Sequence, residues 1–483
     1  MTNPLPSTLA VAFWSLLFLL SLSSRPVFGL TEDKIAAFHS KIASELQAAK
    51  IRGAAYAFRG PGMDGPVLGA YGLTASSDDS PPMETDTAFQ LASLSKPFTG
   101  AAVGTLLEQG LLSSLDDDIC NVFNDTGPTL ADGSVNTACR NPAYPDIPVT
   151  WRMIVTHRSS MVRGLPRAAG DVEVSYGPTG VNYIVEVAGN PTCPIDDVVQ
   201  FYEDLLVDKD TETTVGQSDG YNVHWYSLAE QDVGGIWNAS YPPGQREEYS
   251  NVAVGYIAAL VEHLTEQAFP DYAQDNVFAV VGMNQTAWFH TDLSNDTIVA
   301  MPTYPYDDAT ESWTDVGHYC WANYADGQLH SSIQDLAAYA DLLVDSYGVG
   351  TLWSNETAWE YVFGCQAEDE TGTRISEQDC EFALSWGYLN NEKKATMGWP
   401  HPFEQLDWTN GMVHDGSEFG IATDAFILPE AKSYSIILFS TEGVDVDYFV
   451  EGIIHEGMSS LLDMGAPAGS PVVLMVVLWS LFN

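Results

Sequence analysis

Basic residues are what this sequence has least of. Only 18 Lys+Arg stand against 65 Asp+Glu in 483 residues, a formal net charge of −47. A surface so acidic repels phosphate backbones and anionic headgroups, which excludes nucleic acid as a partner. The acidic residues are spread along the chain rather than gathered in a tail, which reads as a solvated acidic surface. Steering of a cationic substrate is the sharper alternative. None of the six cysteines belongs to a C-x-x-C pair, and their spacing does not support zinc. The residues therefore call for no metal and no cofactor. There is no internal repeat, and neither of the two apolar runs is long enough to span a bilayer. What is plentiful is core material: 45% hydrophobic and 11% aromatic residues rule out a disordered chain.

The first apolar run, Leu9 to Leu22, is followed by Ser23-Ser24-Arg25-Pro26 and then Val27-Phe28-Gly29. Its length and the small residue at its end read as a signal peptide over 1–29, cleaved after Gly29. A signal anchor is the alternative, since no Lys or Arg precedes the run. Export predicts a secreted chain, and an even cysteine count then suggests disulfides. Proximity suggests Cys120–Cys139 and Cys365–Cys380, leaving Cys193–Cys320, while other connectivities stay open. N-x-[ST] sequons at Asn124, Asn238, Asn284, Asn295 and Asn355 suit a glycoprotein. The second apolar run, Val472 to Phe482, lies in a tail at 456–483 behind the small residues Gly465 to Ser470. It resembles the attachment signal of a glycolipid anchor, which would tether the chain to the cell surface. The alternative is a segment packed on the body.

Along the chain, helical spacing covers Ile35 to Ala49, Ser93 to Leu112, Thr150 to Thr156, Ala253 to Gln267 and Ser332 to Val344. Strand patterns cover Ala54 to Phe58, Val67 to Gly72, Phe426 to Leu428 and Tyr434 to Phe439. The stretch 165–240, rich in Gly, Pro, Asp and Thr, reads as a loop-rich insertion. The order strands, helices, strands predicts an α+β fold, an α/β sandwich. Its antiparallel sheet domain is flanked by helices, is discontinuous in sequence, and carries an inserted, mainly helical domain. The sheet lobe takes about 30–90 and 310–455, and the helical lobe about 91–310.

Three motifs carry chemistry. Ser93-Leu94-Ser95-Lys96 puts a hydroxyl and an amine three residues apart on a forming helix, within hydrogen-bond reach. That turns a weak hydroxyl into a nucleophile. None of the other lysines (Lys34, Lys41, Lys50, Lys209, Lys393, Lys394, Lys432) has a serine three positions earlier. Downstream, Tyr249-Ser250-Asn251 follows Pro243-Gly244 and precedes a helix. On that loop the phenol can act as a base and the amide can hold a carbonyl. A competing Tyr388-Leu389-Asn390 lies in a strand-like segment and reads as structural. The third motif is His414-Asp415-Gly416-Ser417, where a glycine at a strand edge lets substrate lie against backbone.

Together these motifs resemble the serine β-lactamase and penicillin-binding-protein superfamily, in its branch of class C β-lactamases and related esterases, aminopeptidases and acyltransferases. The resemblance runs from about residue 33 to about 445. It extends to Glu108 to Asp117, Val149 to Ser160, Val281-Gly282-Met283 and Gly327 to Leu336. It implies Ser93 as nucleophile, Lys96 and Tyr249 as its partners in proton transfer, Asn251 as a substrate-amide contact, and the backbone N–H groups of Ser93 and Ser417 as the oxyanion hole. It also implies a serine hydrolase acting on a small-molecule ester or amide, with D-aminopeptidase, DD-peptidase or β-lactamase activity as alternatives, and the N-terminal segment would make it a secreted one. One departure matters: the third motif is His414-Asp415-Gly416 where β-lactamases usually have K-T-G, whose lysine binds a carboxylate. A neutral imidazole is a poorer anion receptor, which favours an uncharged acyl group. The Thr156-His157 pair reads as structural, capping a helix end. Two other classes stay open: a catalytically silent binding protein with this fold, and an assembly protein.

Overall fold

Thr31 starts the first described element, its hydroxyl accepting from the Lys34 N–H, with Glu32 and Asp33 in the first turn where the helix dipole favours them. The resulting helix α1, Glu32–Ala48, buries Phe38, Ile42 and Leu46, one stripe at four-residue spacing. The computed structural model describes residues 31–122, 128–129, 133–162, 236–319, 324–358, 362, 382–390 and 410–444.

Among the described residues, that stripe rests on a seven-stranded antiparallel sheet. In chain order the elements are β1 (Gly53–Arg59), β2 (Val67–Gly72), the short β3 (Ala88–Gln90), and helices α2 (Lys96–Glu108), α3 (Trp151–Val155) and α4 (Asn251–Thr265). They continue with β4 (His330–Ser332), α5 (Ile333–Ser346), β5 (Phe382–Ala383), β6 (Trp386–Asn390), β7 (Asn410–Glu418), β8 (Ile421–Leu428) and β9 (Ser433–Phe439). The strand order is β2-β1-β9-β8-β7-β6-β5, and β3 pairs with β4 in a separate ribbon. Because β1 pairs with β9, Ala55 opposite Leu438, the two ends of the described chain share one sheet and the helical segments lie between them in sequence.

Both faces of this sheet are covered, so its strands are apolar on both sides. Ala54, Tyr56 and Phe58 of β1, Phe426 and Leu428 of β8, and Ile437 and Phe439 of β9 face α1. The alternate residues Ala55, Ala57, Ala425, Ile427, Ile436 and Leu438 face the helical side. On that second face α5 is tied to the sheet by polar contacts as well. Arg59 reaches Asp341 at 2.8 Å and Asp345 at 3.0 Å, and the Tyr434 hydroxyl donates to Asp341 at 3.0 Å. Burying Phe58 or Phe439 contributes about 2–3 kcal/mol each, so the sheet supplies a stiff base for the site above it.

The α+β sandwich with a discontinuous antiparallel sheet is the architecture read from the sequence. The helices shift by one to four residues from their apolar spacing. The larger differences are at α2, which runs Lys96–Glu108 rather than Ser93 to Leu112, and at α1, which begins at Glu32 rather than Ile35; α4 begins two residues early, at Asn251. Cys120 and Cys139 form a disulfide, as proximity suggested, with Cα atoms 5.0 Å apart. Cys193, Cys320, Cys365 and Cys380, the signal segment, most of the 165–240 insertion and the C-terminal tail lie outside the described residues. Among the described residues, no helix is long and apolar enough to cross a membrane.

Candidate active site

Ser93 lies on a tight 3-10 turn, Ala92–Ser95, that runs straight into α2. In such a turn residues three apart eclipse, which stacks Lys96 directly over Ser93. The Lys96 ammonium donates to the Ser93 hydroxyl at 3.0 Å and to the Asp326 carbonyl at 2.6 Å. Lys96 is completely buried, whereas Ser93 is only half-buried and so open to a substrate. The turn is held at some cost: Ala92 has φ of 49°, a left-handed conformation that side chains with a Cβ avoid. Contacts on either side hold it there. Thr423 of β8 donates to the Leu91 carbonyl at 2.8 Å, and the Ser95 hydroxyl accepts from the Leu329 N–H at 3.0 Å.

Strand β7 supplies the next wall. Its even-numbered residues face the helical side: Met412 packs in the core beneath α2, while Val413 packs toward α1. His414 and Gly416 therefore point at the nucleophile turn, and both are buried, whereas the Ser417 side chain is exposed. The glycine is required by close approach. A Cβ at Gly416 would lie 2.4 Å from Thr423 Oγ1, 2.5 Å from the Leu91 oxygen and 3.0 Å from the Ser93 nitrogen. The amide of Ser93 thus sits against β7 one residue before Ser417, the two backbones from which an oxyanion hole is expected. The motif lies within β7 itself, paired with β8 through Gly416 opposite Thr423.

Burial, and after it the positive charge of Lys96, depress the imidazole of His414 to about 4. At neutral pH the ring is uncharged. Its Nδ1 lies 2.7 Å from the Asp415 carbonyl oxygen, and its Nε2 is buried with no hydrogen-bond partner among the described residues.

Tyr249 completes the group. Its ring centre lies 5.0 Å from Lys96 Nζ and 6.4 Å from the His414 ring. Ser250 caps α4, accepting from the Ala253 N–H at 2.9 Å and donating to the Val162 carbonyl at 2.6 Å. Asn251 is the first residue of that helix rather than part of a loop, so it starts from a fixed backbone. Tyr388 of the competing motif is buried in β6, in line with a structural role.

One residue at the site does what the sequence did not indicate. The Thr156-His157 pair closes the end of α3 as read from the sequence: the Thr156 N–H and hydroxyl both reach the Arg152 carbonyl, and His157, in the left-handed conformation that ends a helix, donates its N–H to the Ile154 carbonyl at 3.2 Å. His157 also holds three consecutive residues of the tyrosine loop. Its carbonyl accepts from the Glu248 N–H at 2.8 Å, its ring lies 4.6 Å from that of Tyr249, and its Nδ1 accepts from the Ser250 N–H at 3.1 Å. Phe382 of β5 closes the other side of the ring at 4.5 Å. The φ of 57° at His157 is a left-handed conformation outside glycine, a strain of about 1–2 kcal/mol that the helix-end hydrogen bonds and these contacts hold in place. That positive φ, invisible in the sequence, is what turns the ring from the helix end toward the tyrosine.

With this geometry in view, the comparisons with known proteins are decisive for family. The model of the family described as "Beta-lactamase" matches residues 38–451. The chain belongs to the beta-lactamase family. It shares 20% identity over 265 residues with Beta-lactamase-like protein 2 of Dictyostelium discoideum, covering 54% of this chain and 37% of that protein. It shares 23% identity over 342 residues with Penicillin-binding protein 4* of Bacillus subtilis (strain 168), covering 68% of this chain and 59% of that one. The chain thus spans less than two thirds of the length of these curated relatives. A class C beta-lactamase mutant of solved structure superposes with a TM-score of 0.55 at 14% identity, covering 89% of this chain and 97% of that chain. At that identity the likeness speaks for the fold. The family lies within the superfamily of serine hydrolases that includes the penicillin-binding proteins.

Proposed function

We propose that this chain is a serine hydrolase that works through an acyl-enzyme on esters or amides with an uncharged acyl group, acting mainly as an esterase. The observation that carries the reading is the Lys96 Nζ to Ser93 Oγ contact of 3.0 Å, beneath the ring of Tyr249 and beside an uncharged His414. In this reading Ser93 Oγ attacks the carbonyl carbon and its proton passes to the Lys96–Tyr249 pair. The amide N–H groups of Ser93 and Ser417 stabilise the oxyanion, and the pair returns the proton to the leaving oxygen or nitrogen as the acyl bond breaks. Water then attacks the acyl-enzyme and gives its proton to the same pair, which returns it to Ser93 Oγ as the acid is released.

Substrate preference follows from charge. An ammonium at position 414 would attract a carboxylate, whereas the imidazole carries no charge, and the chain as a whole is strongly acidic. Losing such an ion pair weakens carboxylate binding about ten- to a hundredfold. The purified protein should therefore show a higher kcat/KM for a short-chain p-nitrophenyl ester than for nitrocefin, which carries a carboxylate. The reverse ratio would make it a β-lactamase. Ser93→Ala should abolish both turnover and labelling by a fluorophosphonate, and labelling that survives the change would remove Ser93 from its role.

Export belongs to the same proposal. The 1–29 segment, the cysteine count and the sequons support it, and Asn284, Asn295 and Asn355 are exposed. A mature chain beginning near Leu30, with glycans and disulfides by mass spectrometry, is the expected result. An intact Met1 with six free thiols would contradict it.

A further inference from the structure

The unpartnered nitrogen of His414 carries information about substrate that its lack of charge alone does not. Its Nδ1 lies 2.7 Å from the Asp415 carbonyl oxygen, and a carbonyl can only accept. The ring proton must therefore sit on Nδ1, which leaves Nε2 as a bare lone pair. His414 is 5% exposed, on the face of β7 that carries Gly416 against the nucleophile turn, with Tyr249 6.4 Å away on the other side. That nitrogen has no hydrogen-bond partner among the described residues. A buried acceptor left without a donor is unfavourable, so the site favours a ligand that brings one.

Resting on the hydrolase reading, we infer that His414 Nε2 is a hydrogen-bond acceptor for the substrate, and that the preferred acyl group carries a hydroxyl or N–H donor close to the scissile carbonyl. This is a stronger statement than a preference for neutral groups. A lone pair repels a carboxylate, ignores an ether or a plain alkyl chain, and binds a donor. It also differs from what a lysine does at the same position, since an ammonium has only donors to offer. Discrimination of this kind is sharp, because the analogue that lacks the donor leaves the buried nitrogen unpaired.

A matched series tests it: the p-nitrophenyl esters of 3-hydroxybutyrate, 3-methoxybutyrate and succinate, the last with a free carboxylate. Wild-type enzyme should favour the hydroxy over the methoxy ester in kcat/KM by about ten- to a hundredfold, with the hemisuccinate poorest. His414→Phe keeps a ring of similar size but no acceptor, and should bring the hydroxy-to-methoxy ratio close to one. His414→Lys should lift the hemisuccinate above both. A wild-type ratio near one, or a ratio that survives His414→Phe, would overturn the inference. A second measurement does not depend on turnover. Nitrogen-15 NMR of the histidine ring should show a protonated Nδ1 and a bare Nε2 at neutral pH, and a proton on Nε2 would sink the proposal. If the tautomer is as stated and Ser93 takes no phosphonate, the hydrolase reading fails while the acceptor stands. If Ser93 is labelled and the ester ratio is flat, the acceptor fails alone.

Discussion

Ser93 and Lys96 meet because they stand three residues apart on one turn, whereas Tyr249, His157 and His414 reach them from three separate parts of the chain. The first pair is fixed by local geometry and needs its surroundings mainly to hold Ala92 in its left-handed conformation. The second group has no local reason to be where it is. Its placement depends on one histidine holding a loop and on one glycine letting a strand come close. The comparison teaches where the site is robust and where it is vulnerable. Chemistry is written into the turn, and alignment is written into contacts that mutation can remove without touching a reacting group.

The largest expected effect joins the two halves. If Lys96 and Tyr249 form one proton-transfer unit with Ser93, Lys96→Met and Tyr249→Phe should each lower kcat by about a hundredfold or more. The double variant should lose little beyond the worse single one. Single-turnover acylation kinetics with a fluorophosphonate and a p-nitrophenyl ester read this directly, and losses that multiply would separate the two residues.

The alignment half is tested at His157 with a pair of variants. His157→Phe keeps a ring against Tyr249 but leaves the buried Ser250 N–H without its acceptor. The cost of an unmet donor, about 1–3 kcal/mol, should appear as a ten- to hundredfold fall in kcat with KM little changed. His157→Asn loses the ring but keeps an acceptor near the place of Nδ1, and asparagine tolerates the left-handed backbone. It should stay within a few-fold of wild type. Equal losses in both, matched by equal losses of thermal stability, would mean that His157 serves only the fold. A related change, Gly416→Ala, pushes a methyl against the Leu91 carbonyl and the Ser93 amide. We expect about a tenfold loss in kcat, since misplacing an oxyanion donor costs more than misplacing bulk.

These differences also explain what was legible. Ala54 to Phe58 and Tyr434 to Phe439 read as strands in the sequence and the structure has them; with both faces of the sheet covered, they are short, mostly apolar runs buried throughout. Ser93, Lys96, Tyr249 and His414 were legible because each stands in a motif whose spacing has a chemical reason, and the structure gathers their rings and polar groups. The helix-end role of Thr156-His157 was legible, but the hold of His157 on the tyrosine loop was not, because it rests on contacts with residues about ninety positions away that helical spacing does not reveal. The start of α2 was missed because a 3-10 turn and the first turn of an α-helix share the same i, i+3 pattern of contacts. A cluster formed by His290, His318 and His330 left no trace in the sequence at all. The three are scattered along the chain, and only the fold stacks His290 on His318 at 4.6 Å and sets His330 5.7 Å away.

That cluster gives the smallest effect and the last test, one that separates the stability of the scaffold from the chemistry of the turn. Burial lowers the pKa of His290, and burial together with the neighbouring histidines lowers His318 to about 4 and holds His330 well below the usual imidazole value. His414 is lowered in the same direction. An unfolded chain protonates such residues near 6.5, so between there and about 4 the unfolded state binds more protons than the folded one. Their contribution to stability is full above about pH 6.5 and is lost as the pH falls toward 4. Each histidine changes stability by at most about 1.4 kcal/mol per pH unit, and by less where water reaches the ring, as at His290 and His318. The many carboxylates act the other way, because their protonation relieves the self-repulsion of an acidic chain, but they do so mostly below pH 5. The window from 6.5 to 5 is therefore the one to measure. Urea midpoints should fall across it for wild type, and the fall should be shallower for His318→Gln, which cannot take up the proton. A wild-type midpoint that stays level or rises from pH 6.5 to 5 would mean that the cluster does not set the acid limit of the fold.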